Sequence, residues 1–287
     1  NINGDLQNGT LNVRERDTNG HGTHTTGIAA GDGSANNGSD ANVYKGMAPN
    51  ADIIMVKTDF SADTMVVDGM NYIIAKARSL GKRAVINLSL GGQSGPHDGT
   101  SAWETAIGAI AASTPVAVAM GNDNEDSPHA LIPFGVGEIK NVDLDTQYAG
   151  NVVEAEFWHP AGDAYSVTVT LTCSGGCSGS LTATAGSNQS GSIGSATVYV
   201  YNATNSGHPL NDKQIFIHYD DPSLVVTSLH AQITRTSNGG SGSMDGFTDP
   251  AVWGSMFSNY VNNTMTLGEP ASANNVISVA AYGSRGV

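Results

Sequence analysis

Apolar and polar positions along this chain follow two rhythms, and the change between them divides the sequence. In the first half, short apolar runs alternate with segments of helical period. Residues 51–57 (A-D-I-I-M-V-K) form a compact apolar run after the turn at Pro49-Asn50 and read as a buried strand. Val66, Met70, Ile73, Ile74 and Ala77 then recur at helical spacing, and Gly81 stands where a glycine ends a helix. Residues 84–88 (A-V-I-N-L) predict a second buried strand. Trp103, Ile107, Ile110 and Ala111 mark one face of a second helix, and residues 114–120 predict a third strand. Strand, helix, strand, helix, strand predicts an α/β fold with a doubly wound parallel sheet, in which ligands bind at the carboxyl ends of the strands.

From about Val136 to Asn263 the period becomes two. Tyr165, Val167, Val169 and Leu171 alternate with Ser and Thr, as do Val198 with Val200 and Ile215 with Ile217. Turn clusters such as residues 188–192 (N-Q-S-G-S) separate them. This pattern predicts an antiparallel β-sandwich, jelly-roll-like in type, whose ends lie close enough for insertion in a surface loop of the α/β domain. The expected organisation is residues 1–135 for the first part of the α/β domain, 136–263 for the inserted sandwich and 264–287 for the return.

Composition limits the partners. The 287 residues, 39% hydrophobic, suffice for one large core or two modest ones. Only 13% are charged and 36 are Gly, so loops are many. Asp and Glu outnumber Lys and Arg by 26 to 12, a formal charge of −14 that disfavours nucleic-acid backbones and anionic membranes. No apolar run is long enough to span a bilayer, and the opening N-I-N-G-D is not a signal peptide, so the chain reads as beginning inside a domain. Cys173 and Cys177, as C-S-G-G-C between two predicted strands, predict a disulfide at a hairpin tip, with two free thiols as the alternative. A disulfide implies a secreted or cell-surface protein.

Candidate chemistry begins at residues 17–27 (D-T-N-G-H-G-T-H-T-T-G). Gly20 and Gly22 let the backbone pass close to a ligand, and Thr25, Thr26, Ile28, Ala29 and Ala30 can pack as a helix against a core. His21 then falls near the first helical turn, where the dipole disfavours the imidazolium and leaves a neutral ring able to take a proton. His21 and His24, three apart, also suit a metal, although no H-E-x-x-H glutamate accompanies them. Two motifs lie at predicted strand ends. Residues 87–92 (N-L-S-L-G-G) offer extended backbone to a peptide, with Gly91 and Gly92 leaving room for a side-chain pocket; an ordinary turn is the alternative. Residues 119–123 (A-M-G-N-D) end in an Asn amide, a neutral donor suited to an oxyanion and worth roughly 3–4 kcal/mol of barrier, or else a turn-capping Asn.

In this order and at these separations, H-G-T-H-x-x-G, N-x-S-L-G-G and an apolar strand ending in G-N resemble the subtilisin-like serine proteases over residues 17–124. Residues 45–51 (K-G-M-A-P-N-A) look like that family's G-x-A-P segment. Residues 269–281 are similar to its P-A-x-x-x-x-V-I-x-V-A strand. The resemblance implies an endopeptidase acting on peptide or protein, with His21 as base and His24 as a structural neighbour. It implies Ser89, Leu90 and Gly91 as one wall of the primary specificity pocket, Ala119, Met120 and Gly121 as the facing wall, and Asn122 as oxyanion donor. The alternating middle is similar to the jelly-roll insertion of some bacterial germination proteases of the family. No cofactor is implied as required. Asp143, Asp145 and the Asp220-Asp221 pair are candidates for a structural calcium, or else solvated loop carboxylates.

The departures are as informative. The family orients its histidine with an aspartate in a D-T/S-G motif and attacks with a serine in a G-T-S-M-A-like turn. Neither motif is present. Asp5 and Asp17 are the only aspartates before His21, and Asp17 reads as support for the histidine loop. Residues 99–101 (G-T-S) read as a helix N-cap, with Glu104 completing a capping box, and residues 242–244 (G-S-M) lie in the wrong context. The expectation is an endopeptidase by family whose isolated chain is inactive, with a complementary segment carrying the Asp and Ser as a partner. A pseudoprotease scaffold, or a binding module carried by the sandwich, are the competing readings.

Overall fold

The computed structural model describes residues 16–34, 42–146, 151–173, 176, 178–202, 212–223, 226–237 and 239–281. The chain forms two compact units, residues 1–89 and 90–287.

The first unit holds helix α1 (His21–Ala30), helix α2 (Asp63–Ser79) and strand β1 (Ile86–Leu88). α2 buries Val66, Met70 and Ala77 along one stripe, as its apolar spacing requires. Gly69 lets the helix approach Val56, since a Cβ there would lie 3.0 Å from Val56 Cγ1. The helix ends in a Schellman motif: Gly81, at φ +67°, donates its N–H to Arg78 O, and Lys82 donates to Ala77 O. Two expectations fail here. Residues 51–57 form no strand among the described residues, and Ile53 and Met55 are more than half exposed; the apolar run lacks the paired neighbours that a buried parallel strand needs. α1 forms but buries no residue, and Ile28 is 58% exposed. Its apolar residues are consecutive, so at about 100° per residue they spread around the helix instead of making one stripe.

The second unit contains helix α3 (Ala102–Ala111), helix α4 (Pro250–Trp253) and strands β2 to β14. β2 (Val116–Ala119) pairs in parallel with β14 (Ile277–Val279), Val118 facing Ser278. The other strands form two antiparallel sheets. One runs β3 (His129–Pro133), β12 (Ser243–Phe247), β5 (Val152–His159), β10 (Lys213–Asp220), β9 (Ala196–Asn202), β8 (Asn188–Ile193). The other runs β13 (Met256–Phe257), β4 (Ile139–Asp145), β11 (Val226–Arg235), β6 (Tyr165–Cys173), β7 (Ser178–Ala183).

The alternation seen in the sequence is the alternation of burial. Along β6, Tyr165, Val167, Val169 and Leu171 are fully buried while the intervening Ser and Thr face outward. These residues, with Val142, Leu144 and Ile233, join Val153, Phe157, Val198, Val200, Ile215 and Ile217 of the six-stranded sheet in one core. Each large apolar side chain so buried contributes about 1.5–3 kcal/mol. Ala130 and Ile132 of β3 belong to this core, so antiparallel pairing begins at His129. Residues 243–244 are strand as well, with Met244 buried opposite Ile132. One buried ion pair crosses the sheet margin: Arg235 donates from Nε and Nη2 to Asp163 Oδ1 at 3.0 and 2.6 Å and from Nη1 to Phe134 O at 3.0 Å.

Candidate active site

His21 opens α1. Gly20, at φ +91°, is the N-cap, a conformation that strains any residue with a Cβ, and the His24 N–H closes the first turn on Gly20 O. The preceding loop is folded around Asp17. Its Oδ1 accepts from Gly20 N–H at 2.7 Å and Asn19 N–H at 3.1 Å, and its Oδ2 accepts from the Thr23 hydroxyl at 2.7 Å and N–H at 2.8 Å. The Thr23 hydroxyl, then these backbone donors, hold the Asp17 carboxyl down at about 2. Asp17 is thus the support of the histidine loop, as its context in the sequence suggests, and its oxygens are spent on that loop.

The His21 ring points Nε2 at Ser89 O, 2.9 Å away. A carbonyl only accepts, so Nε2 carries a hydrogen, and in the neutral ring the lone pair then lies on Nδ1. That tautomer is the reverse of the one in which Nε2 takes a proton from a nucleophile. An acid that accepts from Nδ1 would hold the hydrogen there and free Nε2, which is the orienting role of a triad aspartate. His24 is exposed. Among the described residues, no group of three or more His, Cys, Asp or Glu is placed to hold a metal ion.

In the second unit, Leu90 and Gly91 lead into a short antiparallel bridge. Gly92 N–H donates to Glu269 O at 3.0 Å and Glu269 N–H donates to Gly92 O at 2.9 Å. A Cβ on Gly91 would lie 2.8 Å from that same Glu269 O, so the close approach requires glycine. The end of β2 is tied the same way: Met120 N–H donates to Val279 O and Gly268 N–H to Met120 O, both at 3.0 Å. Gly121 then turns at φ +94°, and Asn122 follows it, exposed. The fully buried Gln93 lies beneath this turn. Its Nε2 donates to Asp123 Oδ2 at 3.2 Å, its N–H donates to Asp249 Oδ2 at 2.9 Å, and its Oε1 has no partner.

The residue that organises these loops is Glu269, which the sequence offered only as part of a strand-flanking segment. Its carboxylate accepts from Ser101 Oγ and Trp103 Nε1 at 2.8 Å each and from His97 N–H at 3.1 Å. Ser101 is the N-cap of α3, but its hydroxyl does not complete the expected capping box. It lies between two carboxylates, 2.8 Å from Glu269 Oε2 and 3.1 Å from Glu104 Oε2. A hydroxyl has one hydrogen, so one of these contacts needs a protonated carboxyl. Glu104 supplies it: burial first, then the Glu269 charge, push it up to about 7. Burial also raises Glu269 and Glu156. A signal for the cluster does exist in the sequence, since Glu104 is the one charged residue in the mostly apolar α3 (A-W-E-T-A-I-G-A-I-A).

Cys173 is disulfide-bonded, and Cys177 lies outside the described residues, as do Asp5 and the closing residues 282–287. Asp143 bonds to His230 and Asn259. Asp221 organises a turn, accepting from Ser195 Oγ, Ser223 N–H and Val226 N–H.

The model of the subtilase family matches residues 1–286. Subtilisin-like protease 1 of Trichophyton rubrum is 36% identical over 119 residues, 39% of this chain and 21% of that protein. A subtilisin-like protease of Coccidioides posadasii is 37% identical over 124 residues, 41% of this chain and 27% of its own length. The chain therefore spans about a quarter of these relatives. Among solved structures, the CspB protease of Clostridium perfringens superposes with a TM-score of 0.76 at 24% identity, over 94% of this chain and 57% of that one.

Proposed function

The chain belongs to the subtilase family, and from that premise we propose that it carries the base and the oxyanion donor of a serine endopeptidase, His21 and Asn122, without the nucleophile or the orienting acid. In this reading His21 takes the proton of an attacking serine at Nε2. Asn122 Nδ2 donates to the oxygen that gains charge as the peptide carbonyl becomes tetrahedral. Ser89, Leu90 and Gly91 pair with substrate backbone on one side of the first pocket. Ala119, Met120 and Gly121 form the other side, and Leu90 with the small Ala119 and Gly121 suits a roomy apolar pocket. The chemistry needs no cofactor.

The observation that carries the proposal is the contact of His21 Nε2 with Ser89 O. The Nε2 lies 2.9 Å from Ser89 O, where it gives a hydrogen; an acid accepting from Nδ1 would free Nε2 to act as the base. The isolated chain is accordingly inactive, and its partner is a segment bearing D-T/S-G and G-T-S-M-A motifs. The two antiparallel sheets with their shared core support a jelly-roll sandwich inserted in the protease, its first strand drawn back to His129. A disulfide at Cys173 supports secretion or cell-surface display.

A fluorophosphonate probe tests the assignment. The isolated chain should show no serine labelled faster than the background of the denatured chain. Saturable labelling of one serine would place a nucleophile within the chain and overturn the reading.

A further inference from the structure

The two antiparallel sheets differ in the faces they turn outward. On the five-stranded sheet the outward positions of β4, β6, β7 and β11 hold mostly Ser, Thr, Asn and Gln such as Thr168, Thr170, Asn141 and Gln232, with Ile139, Asp143, Asp145 and His230 among them and no Phe, Tyr or Trp. On the six-stranded sheet, the outward positions of β9 and β10 hold Tyr199, Tyr201, Phe216 and His218. The strands pair Phe216 with Tyr201 and His218 with Tyr199. Ring centroids lie 6.0 Å apart for Tyr201 and Phe216, 6.3 Å for Phe216 and His218, and 5.7 Å for Tyr199 and His218. The rings form one continuous row, and Tyr199 and Tyr201 remain 37% and 44% exposed. A solvated strand position needs no aromatic ring, as the other sheet demonstrates.

Charge decides what suits this row. Glu154 accepts from His218 Nδ1 at 2.9 Å beside it, and Asp220 stands exposed at the end of β10. No Lys or Arg occupies an outward position of β5, β9 or β10. Residues 90–287 hold only Lys140, Lys213, Arg235 and Arg285 as basic residues. The three described are engaged elsewhere, Lys140 with Glu138, Lys213 with Asp163 O and Arg235 with Asp163. Aromatic faces attract cations and carboxylates pair with them. An acidic partner would meet repulsion, and a neutral sugar would use the rings but leave the carboxylates unused.

We propose that the row Tyr199, Tyr201, Phe216 and His218, with Glu154, docks a polypeptide segment bearing Arg or Lys, whose cationic side chains lie over the rings and against the carboxylates. The row shares no residue with the proposed hydrolytic site and does not depend on it.

Fluorescence anisotropy of a labelled peptide of alternating Arg and Ser, titrated with the whole chain, tests this. Saturable binding is expected that weakens sharply between low and about 0.5 M salt, since screening at that strength reduces exposed ionic contacts. Binding should be absent for the peptide with Glu in place of Arg. Tyr201→Ser and Glu154→Gln, both at outward positions, should each weaken binding about tenfold, whereas Thr170→Ala on the other sheet should not. Circular dichroism of each variant confirms folding. The proposal is overturned if the Arg peptide does not saturate, if neither variant weakens it, if a neutral oligosaccharide such as cellohexaose binds in its place, or if sedimentation shows the face occupied by a second copy of the chain.

Discussion

His21 Nε2 donates to Ser89 O across 2.9 Å, so the imidazole is held by the main chain of the very segment expected to bind substrate. The bond fixes ring position but selects the tautomer unsuited to taking a serine proton. Nitrogen-15 NMR of the isolated chain should therefore show His21 as the Nε2–H tautomer when neutral. Joining a segment with the D-T/S-G aspartate should convert it to Nδ1–H. An Nδ1–H tautomer in the isolated chain would contradict the geometry.

Asp17 should matter only above strong acid. Its folded value of about 2 lies below its ordinary 3.8, so the carboxylate is favoured by folding. Its contribution is present above about pH 4 and is lost as pH falls toward 2. Asp17→Asn should lower the melting temperature modestly at pH 6 and make no difference near pH 2. Thermal scans at the two pH values check this.

Glu104 has the opposite sign. Its folded value of about 7 lies above its ordinary 4.5, so the folded chain binds the extra proton and loses stability as pH rises from about 4.5 to 7. Glu104→Gln keeps neutral hydrogen-bonding oxygen and nitrogen beside Ser101 and Ser272 and should flatten that slope. Urea midpoints at pH 5 and pH 8 measure it; an unchanged slope would remove Glu104 as its source.

Two substitutions test the scaffold. Arg235→Ala leaves Asp163 ionised and buried and should cost about 3–5 kcal/mol. Gly95, at φ +116° with the Glu269 carboxylate where a Cβ would sit, should tolerate Ala only at a cost of about 1–3 kcal/mol or more. Equilibrium urea unfolding reads both.

Local rules made some of these features legible. Gly81, Val66, Met70 and Ala77 announce α2 because a helix's stripe and its terminating glycine are written within 17 residues. The strict alternation of β6 announces a half-buried strand for the same reason. Residues 51–57 mislead because an apolar run states a wish for burial and not the presence of partners. Glu269 could not be read as an anchor, since its partners at positions 92, 97, 101 and 103 are brought to it by pairing more than 160 residues distant in sequence. Ser101 misled more subtly: the capping pattern is there, but tertiary contact with Glu269 takes its hydroxyl.

The central claim, that Asn122 stabilises an oxyanion in a reaction whose base is His21, is tested most directly by kinetics. The chain would be joined to subtilase segments supplying the D-T/S-G and G-T-S-M-A motifs, and kcat and KM measured on a peptide substrate for the parent and for Asn122→Ala. The account predicts that kcat falls about 10²–10³-fold with KM little changed, because the donor acts only in the transition state. An unchanged kcat, or a loss confined to KM, would contradict it.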